Sequence, residues 1–359
     1  MHRSAEYDRR MPTCSVARWT RALACLATVW MGAAAMAQVA NGPIGPVGGE
    51  PASAKDLRGW LVRIQEAPSR RNFQGTFVVT AGGAVSSARI VHYHGAGSQY
   101  ERIESLDGKA RQVYRHDDLI HTFWPENRIA LIEQRAKPSS FPALLQAGDD
   151  RIVELYDVRL QGIDRVAGHE AHVLSLSPRD AFRFGYRLWA DKDSGLLLRA
   201  DVLGERGELL ESSAFSDVVI GVRSQPEVVL QAMKKLDGYR VARPILAPTQ
   251  LEQEGWVQRQ LVPGFRMVSC VKRSLSAAGE VESVPSPPPV LQAIFSDGLT
   301  HVSVFIEPYN VQRHQRPMLT SIGATHTLMV RQGEWWFTVV GDVPGAALRA
   351  FAKGIERLR

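Results

Sequence analysis

Cysteine is scarce in this 359-residue chain, with three in all. Cys14 and Cys25 fall in an N-terminal stretch that reads as a removable leader, which leaves Cys270 alone. An exported chain with one cysteine has no internal disulfide, so its core must carry stability by itself. The short motifs of common chemistry are missing as well. There is no phosphate-cradling glycine loop, no G-x-S-x-G turn, no H-E-x-x-H and no paired C-x-x-C. The apolar run over 22–37 is shorter than the ~20 residues of a membrane-spanning helix. A large excess of either charge is lacking: the first 37 residues carry five Arg against two acids, so the formal +6 falls to +3 without them. Such a mildly basic surface excludes the footprint of a nucleic-acid-binding domain. No repeat of solenoid period is present.

What the chain does have begins with that leader. Arg18 and Arg21 precede the apolar run, which closes on Ala35-Met36-Ala37, the small-x-small pattern of signal cleavage. Met11 fits the true start better than Met1, because 1–10 is a long and mixed prefix. Ala22 stands where a lipid-anchor motif at Cys25 wants Leu, and apolar sequence continues past the cysteine, so an anchor is excluded. The segment 1–37 is therefore read as a signal peptide, 38–52 as a Gly- and Pro-rich lead-in, and the mature chain as exported. About 320 residues remain, enough for two domains.

The mature chain is organised around 53–80. Leu57, Trp60, Leu61 and Ile64 recur at helical spacing, and Ser53 with Asp56 makes a capping box at the helix start. The following strand sets Phe73, Gly75, Phe77 and Val79 on one side. Strand-like runs follow at 88–93, 100–105, 109–115, 119–124 and 129–134, with turn residues such as Gly82-Gly83, Asp107-Gly108 and Pro125-Glu126-Asn127 between them. This succession predicts an antiparallel meander. After a short helix over 139–146, strands resume at 154–161, 170–177, 183–190, 195–203 and 209–222. The expected first domain, 53–222, is a curved sheet with helices against its concave side. The stretch 223–250, with a helical run over 226–236 and then Pro244 and Pro248, reads as an interdomain linker. The second domain, 251–359, is expected to be smaller and α+β. Its strands lie at 265–272, 290–295, 300–306, 324–330 and 335–340, with a stiff proline loop at 285–289. The strand at 335–340 is apolar on both faces and so should be central. Its last helix follows Pro344, with Leu348, Phe351, Ile355 and Leu358 at core spacing.

Three features invite an enzymatic reading, and each has a plainer one. His169 and His172 are three apart at a Gly-led strand start, so they would point to opposite faces instead of sharing a helix face as zinc requires. His92 and His94 share a strand face, but no third ligand is near, and two half-exposed histidines are the simpler reading. The Arg179-Asp180 pair before an aromatic strand reads as a turn-fixing ion pair, with no activated nucleophile beside it. No catalytic residue, metal or cofactor is assigned. Aromatics are what the first domain supplies. Phe77, Phe123, Trp124, Phe184, Tyr186 and Trp189 are the candidate ligand- or partner-lining residues, on the premise of an incompletely filled concave face. Ordinary core is the alternative for each of them.

The same stretches carry a resemblance. The segments 72–79 (NFQGTFVV), 105–108 (SLDG), 165–169 (RVAGH), 177–180 (SPRD), 184–189 (FGYRLW) and 194–198 (SGLLL) resemble signature segments of the RseB/MucB family. So do 261–265 (LVPGF), 295–299 (FSDGL), 302–308 (VSVFIEP), 323–325 (GAT) and 338–344 (TVVGDVP). Each is weakly specific alone; their order covers nearly the whole mature chain. The resemblance implies an N-terminal unclosed antiparallel β-barrel like those of the LolA and LolB lipoprotein carriers, followed by a C-terminal α+β domain with an antiparallel sheet. It also implies a periplasmic negative regulator of a σE-type envelope stress response. Such a regulator binds the periplasmic region of a membrane-spanning anti-sigma factor of the RseA or MucA kind. It shields that region from site-1 proteolysis until lipopolysaccharide or another lipid releases it.

The expected function is therefore binding and not catalysis. The alternative is a periplasmic carrier of lipids or lipoproteins, which leaves the second domain without a role. An envelope hydrolase or metalloprotein built on His92, His94 or His169 stands behind both. Self-association is left open by the sequence.

Overall fold

The computed structural model describes residues 54–358 apart from 96, 135–150, 278–288 and 315, with the backbone alone described at 54–56 and 275–277. The leader, the lead-in, the capping side chains of Ser53 and Asp56, the helix expected over 139–146 and all of the proline loop but Pro289 lie outside these residues.

Helix α1 (Ala54–Arg70) buries Leu61 and Ile64, with Leu57 and Trp60 packed at the margin of the same cluster, as the 3.6-residue spacing dictates. Asn72 then turns the chain into β1 (Phe73–Ala81). Its side-chain amide donates to the Val222 carbonyl at 3.1 Å and its oxygen accepts from the His94 N–H at 2.8 Å. The hairpin strands β2 (Ala84–Gly95), β3 (Ser98–Ser105), β4 (Gln112–His116), β5 (Leu119–Trp124) and β6 (Ile129–Gln134) follow. A single turn, α2 (Ile152–Leu155), leads to β7 (Tyr156–Val166), β8 (His169–Pro178), β9 (Gly185–Asp191), β10 (Leu197–Leu203) and β11 (Leu209–Ile220). Next come α3 (Pro226–Met233), β12 (Arg240–Pro248), β13 (Trp256–Gln258), β14 (Arg266–Ala277), β15 (Val290–Ser296) and β16 (His301–Pro308). The chain ends with β17 (Met318–Ile322), β18 (Thr325–Gln332), β19 (Trp335–Gly341), α4 (Gly345–Gly354) and β20 (Ile355–Arg357).

Eighteen strands form one ladder, in the spatial order β7-β8-β9-β10-β11-β1-β2-β3-β4-β5-β6-β12-β14-β15-β16-β19-β18-β17. Among the described residues every pairing is antiparallel except that of β6 with β12. The eleven strands from β7 round to β6 are the expected meander, and the sheet is unclosed: β6 continues into β12 instead of meeting β7. The rest is the expected antiparallel α+β arrangement, with α4 packed on β18, β19 and β16. Strand β19 lies between β16 and β18 with Trp336, Phe337 and Val339 buried, so it is central as its apolar faces required. Strands β13 and β20 pair separately. No helix among the described residues is long and apolar enough to cross a membrane.

The structure departs from the sequence expectations in three places. The stretch read as a linker is itself built in: α3 covers a small core with Tyr114 and Phe123, and β12 joins the ladder on both edges. Pro244 and Pro248 stop a helix but not this strand, because both lie beyond the residues of β12 that pair with β6. The last helix is shorter than its spacing implied. It stops at Gly354, where a Cβ would stand 2.5 Å from the Gln260 carbonyl. Ile355 is therefore buried at the start of β20 and Leu358 is 41% exposed. Strands β13, β17 and β20 had no counterpart among the expected elements; β17 is exposed at all five positions, so it has no alternation to read. The described residues up to Tyr309 and from Arg316 on belong to one compact unit. Asn310 closes a turn of its own, its side chain accepting from the N–H groups of Gln312 and Arg313 at 2.8 and 3.3 Å.

Two glycines test this arrangement in opposite directions. Gly75 lies in β1 between β2 and β11, where a Cβ would stand 2.2 Å from the Asp217 carbonyl. Gly75→Ala should destabilise the mature chain by about 1–3 kcal/mol. Gly59 on the exposed face of α1 has nothing within 4 Å of a Cβ. Gly59→Ala should stabilise by about 0.5–1 kcal/mol. Urea unfolding of the two variants checks both signs.

Candidate functional site

The most heavily buried charge in the described chain sits where the meander meets the C-terminal half. The turn from β8 into β9 places Asp180 so that its carboxylate accepts from the Phe182 N–H at 2.9 Å and from Arg183 Nε at 3.2 Å. That contact aims the Arg183 side chain, which has no solvent exposure, across the junction. There it meets Asp297 at 3.4 Å and donates to the Pro263 carbonyl at 2.5 Å, with its guanidinium over the rings of Phe265 and Tyr156. Asp297 is held in turn by the tight turn from β15 into β16. Its Oδ1 accepts from the N–H groups of Leu299 and Thr300 at 2.9 Å each, and Gly298 takes φ +97. The Tyr156 hydroxyl donates to Oδ2 of Asp297 at 3.4 Å, and Arg151 donates to the Gly264 carbonyl at 2.9 Å.

Around this pair the junction is mixed in character. Leu299 and Ala324 of the C-terminal half are buried in the cluster of Leu174, Tyr186 and Leu188. The Tyr186 hydroxyl is hydrogen-bonded to Thr300, and Phe184 meets His326 edge-on at 5.5 Å. Beside the parallel β6–β12 seam, Arg273 pairs with the buried Glu133 at 2.9 Å. Burial pushes the Asp297 carboxyl above its ordinary range, against the pull of its two backbone donors and Arg183. Burial likewise drives the Tyr156 and Tyr186 hydroxyls well above 10. Glu211 near the start of β11 is raised by burial and then by the nearby charge of Asp342.

The aromatic residues expected to line a site are distributed over separate cores. Phe184 and Tyr186 share one cluster, Phe77 and Trp189 a second, and Phe123 belongs to a third with α3. Trp124 is half-buried outside all three. Trp189 is fixed by its indole N–H donating to Asp164 at 2.9 Å and by Arg199 over its ring at 4.4 Å. Of the six, Phe184 and Tyr186 are the ones that reach the junction. Sequence reasoning misses Arg183, Asp297, Tyr156 and Thr300; the available signals are Asp297 in the turn segment 295–299 and Asp180 three residues before Arg183, which is read as pairing with Arg179.

Most of the residues weighed for chemistry have structural partners, although the buried Nδ1 atoms of His94 and His172 have no hydrogen-bond partner among the described residues. His92 is buried rather than half-exposed, because it stacks on Phe73 at 4.9 Å beneath the end of α1. Its Nε2–H donates to the Pro68 carbonyl at 2.6 Å and its Nδ1 faces Glu101 at 3.3 Å. His169 starts β8 and lies 3.4 Å from Asp191, while His172 packs on Trp60. Asp180 pairs with Arg183, not with Arg179. No group of three His, Cys, Asp or Glu side chains among the described residues is placed to hold a metal ion. Burial, with Glu254 and Glu252 nearby, pushes the Cys270 thiol up to about 11, so it stays protonated at neutral pH.

Comparison with known proteins gives one consistent answer. Residues 56–234 match the family model of the MucB/RseB N-terminal domain, and residues 250–356 that of the MucB/RseB C-terminal domain. The chain is 32% identical over 298 residues to the sigma factor AlgU regulatory protein MucB of Pseudomonas aeruginosa, covering 81% of this chain and 88% of that protein. It is 27% identical over 311 residues to the sigma-E factor regulatory protein RseB of Haemophilus influenzae, covering 85% and 93%. Among solved structures, MucB in complex with MucA(peri) superposes with a TM-score of 0.63 at 28% identity, over 85% of this chain and all of that one.

Two outcomes test the junction. Arg183→Met leaves Asp297 buried without its cation and should cost about 3–5 kcal/mol. Adding Asp297→Asn, which keeps the acceptor of the turn, should restore most of it; chemical denaturation of both variants reads this. For Glu211 the sign follows from its raised folded pKa: its stabilising contribution is full below about 4.3 and is lost as pH rises through the folded value. Glu211→Gln should therefore gain stability relative to wild type as pH goes from about 4 to 7. A thermal-unfolding difference that stays constant with pH would refute the assignment.

Proposed function

The chain belongs to the MucB/RseB family, and from that premise we propose that it is a periplasmic regulator. In this reading it binds the periplasmic region of a membrane-spanning anti-sigma factor and shields it from site-1 proteolysis. The observation that carries the reading is the end-to-end likeness to MucB in its complex with MucA(peri), joined to the two family models matched in order. The division proposed for the mature chain is an N-terminal domain over 53–222, a connection over 223–250 and a C-terminal domain over 251–359.

The physics suits the role. Occluding a cleavage site needs surface and no reacting group, and a two-domain binder can hold an extended or partly disordered segment. Release needs a signal that prefers the free regulator. Moving such a regulator from mostly bound to mostly free takes a differential affinity of about 5 kcal/mol. An acyl chain of a lipid supplies that at ~0.8 kcal/mol per buried CH₂. Of the six aromatic positions proposed to meet it, Trp124 keeps exposed surface, and the other five would have to leave packed clusters.

The reading is tested with the mature chain from Gln38 and the periplasmic segment of the anti-sigma factor from the same organism. Calorimetric titration should show association at micromolar concentration or tighter, and the bound segment should resist its site-1 protease. No association at tens of micromolar would refute the reading.

A further inference from the structure

The ladder has two free edges among the described residues, and they are built differently. Strand β7 is guarded. It carries Asp157, Arg159, Asp164 and Arg165, and a bulge between Leu160 and Gly162 breaks its register. Charges and bulges are the usual means of keeping a sheet edge from pairing with other chains. Strand β17 has neither. Met318-Leu319-Thr320-Ser321-Ile322 is uncharged, pairs with β18 without a shift in register, and is exposed throughout, with Met318, Leu319 and Ile322 each more than 40% accessible.

This edge is also anchored. At Gly323, which takes φ +58, the β17–β18 turn closes on the end of β1, where a Cβ would stand 2.7 Å from that of Ala81. On the other side of the strand, Leu319 lies over Gly345 at the start of α4, its Cδ2 3.1 Å from the place of a Cβ. A fixed edge with free N–H and C=O groups is a template for an extended backbone.

Charge narrows the occupant. Arg316 and Arg349 flank β17, are exposed, and have no acidic partner among the described residues. A second copy of the edge would bring no counter-charge, because 316–322 contains no acid. We propose that the outer edge of β17 binds an extended, acid-bearing segment of a protein partner as an added β-strand, with alternate apolar side chains of that segment over Met318 and Ile322. The proposal rests on the regulator reading for the partner's identity, the periplasmic segment of the anti-sigma factor.

The experiment uses Thr320→Pro and Ser321→Pro in the mature chain. Adjacent residues of a strand direct their N–H groups to opposite edges, so one variant loses a bond to β18 and the other a free-edge donor. The variant that keeps the wild-type Tm is read. It should bind the anti-sigma segment about tenfold more weakly. In wild type the amides of 318–322 should gain hydrogen-exchange protection on binding, and this measurement decides if both variants are destabilised. Wild-type binding with no protection at β17 and no loss in the stable variant overturns this inference and leaves the regulator reading standing. No binding by wild type overturns both. Protection that appears without partner and grows with protein concentration makes the occupant a second copy, and also overturns it.

Discussion

The Arg183 side chain has no solvent exposure, and a buried guanidinium is tolerable only where its donors find acceptors and its charge a counter-charge. Here the acceptors come from both halves of the chain: Asp180 from its own turn, and Asp297 with the Pro263 carbonyl from the C-terminal half. The pair therefore makes each half a condition of the other's stability. An apolar contact of similar area would hold the halves together as well, but it would tolerate sliding. A hydrogen-bonded ion pair set between two tight turns fixes one orientation.

The β6–β12 seam has the same consequence by another route. Because the meander does not close on itself, β6 would be an open edge, and β12 covers its first residues before crossing to β14. One hydrogen-bonded ladder thus runs from the first half into the second. The ladder sets the two halves in a defined relation without a disulfide among the described residues, where Cys270 is free. Burial holds the interior tyrosines and the thiol in their protonated forms.

Much of this was legible beforehand. The hairpins of the meander were placed within a few residues, because Gly82-Gly83, Asp107-Gly108 and Pro125-Glu126-Asn127 mark turns by local backbone preference. The stripe of α1 and the double-sided apolar strand β19 were equally plain, since period and depth of hydrophobicity are local properties. The misreadings share one cause. Alternation says which face a side chain takes but not what lies over it, so it makes His92 half-exposed although the end of α1 covers it. Periodicity likewise continues the last helix through Leu358, although the backbone turns extended at Ile355 to pair β20 with β13.

By itself, then, the sequence determined most of the elements and the family, which depend on neighbours in sequence or on short segments kept in register. Only the tertiary structure decided the rest. It separated the aromatic residues Phe77, Phe123 and Phe184 into three cores, joined Arg183 to Asp297, made β12 a strand and left β17 as an unguarded edge. The physical reason is the same in each case. Burial of a charge, filling of a concavity and exposure of a sheet edge are set by residues distant in sequence, and no local pattern records which of them will meet.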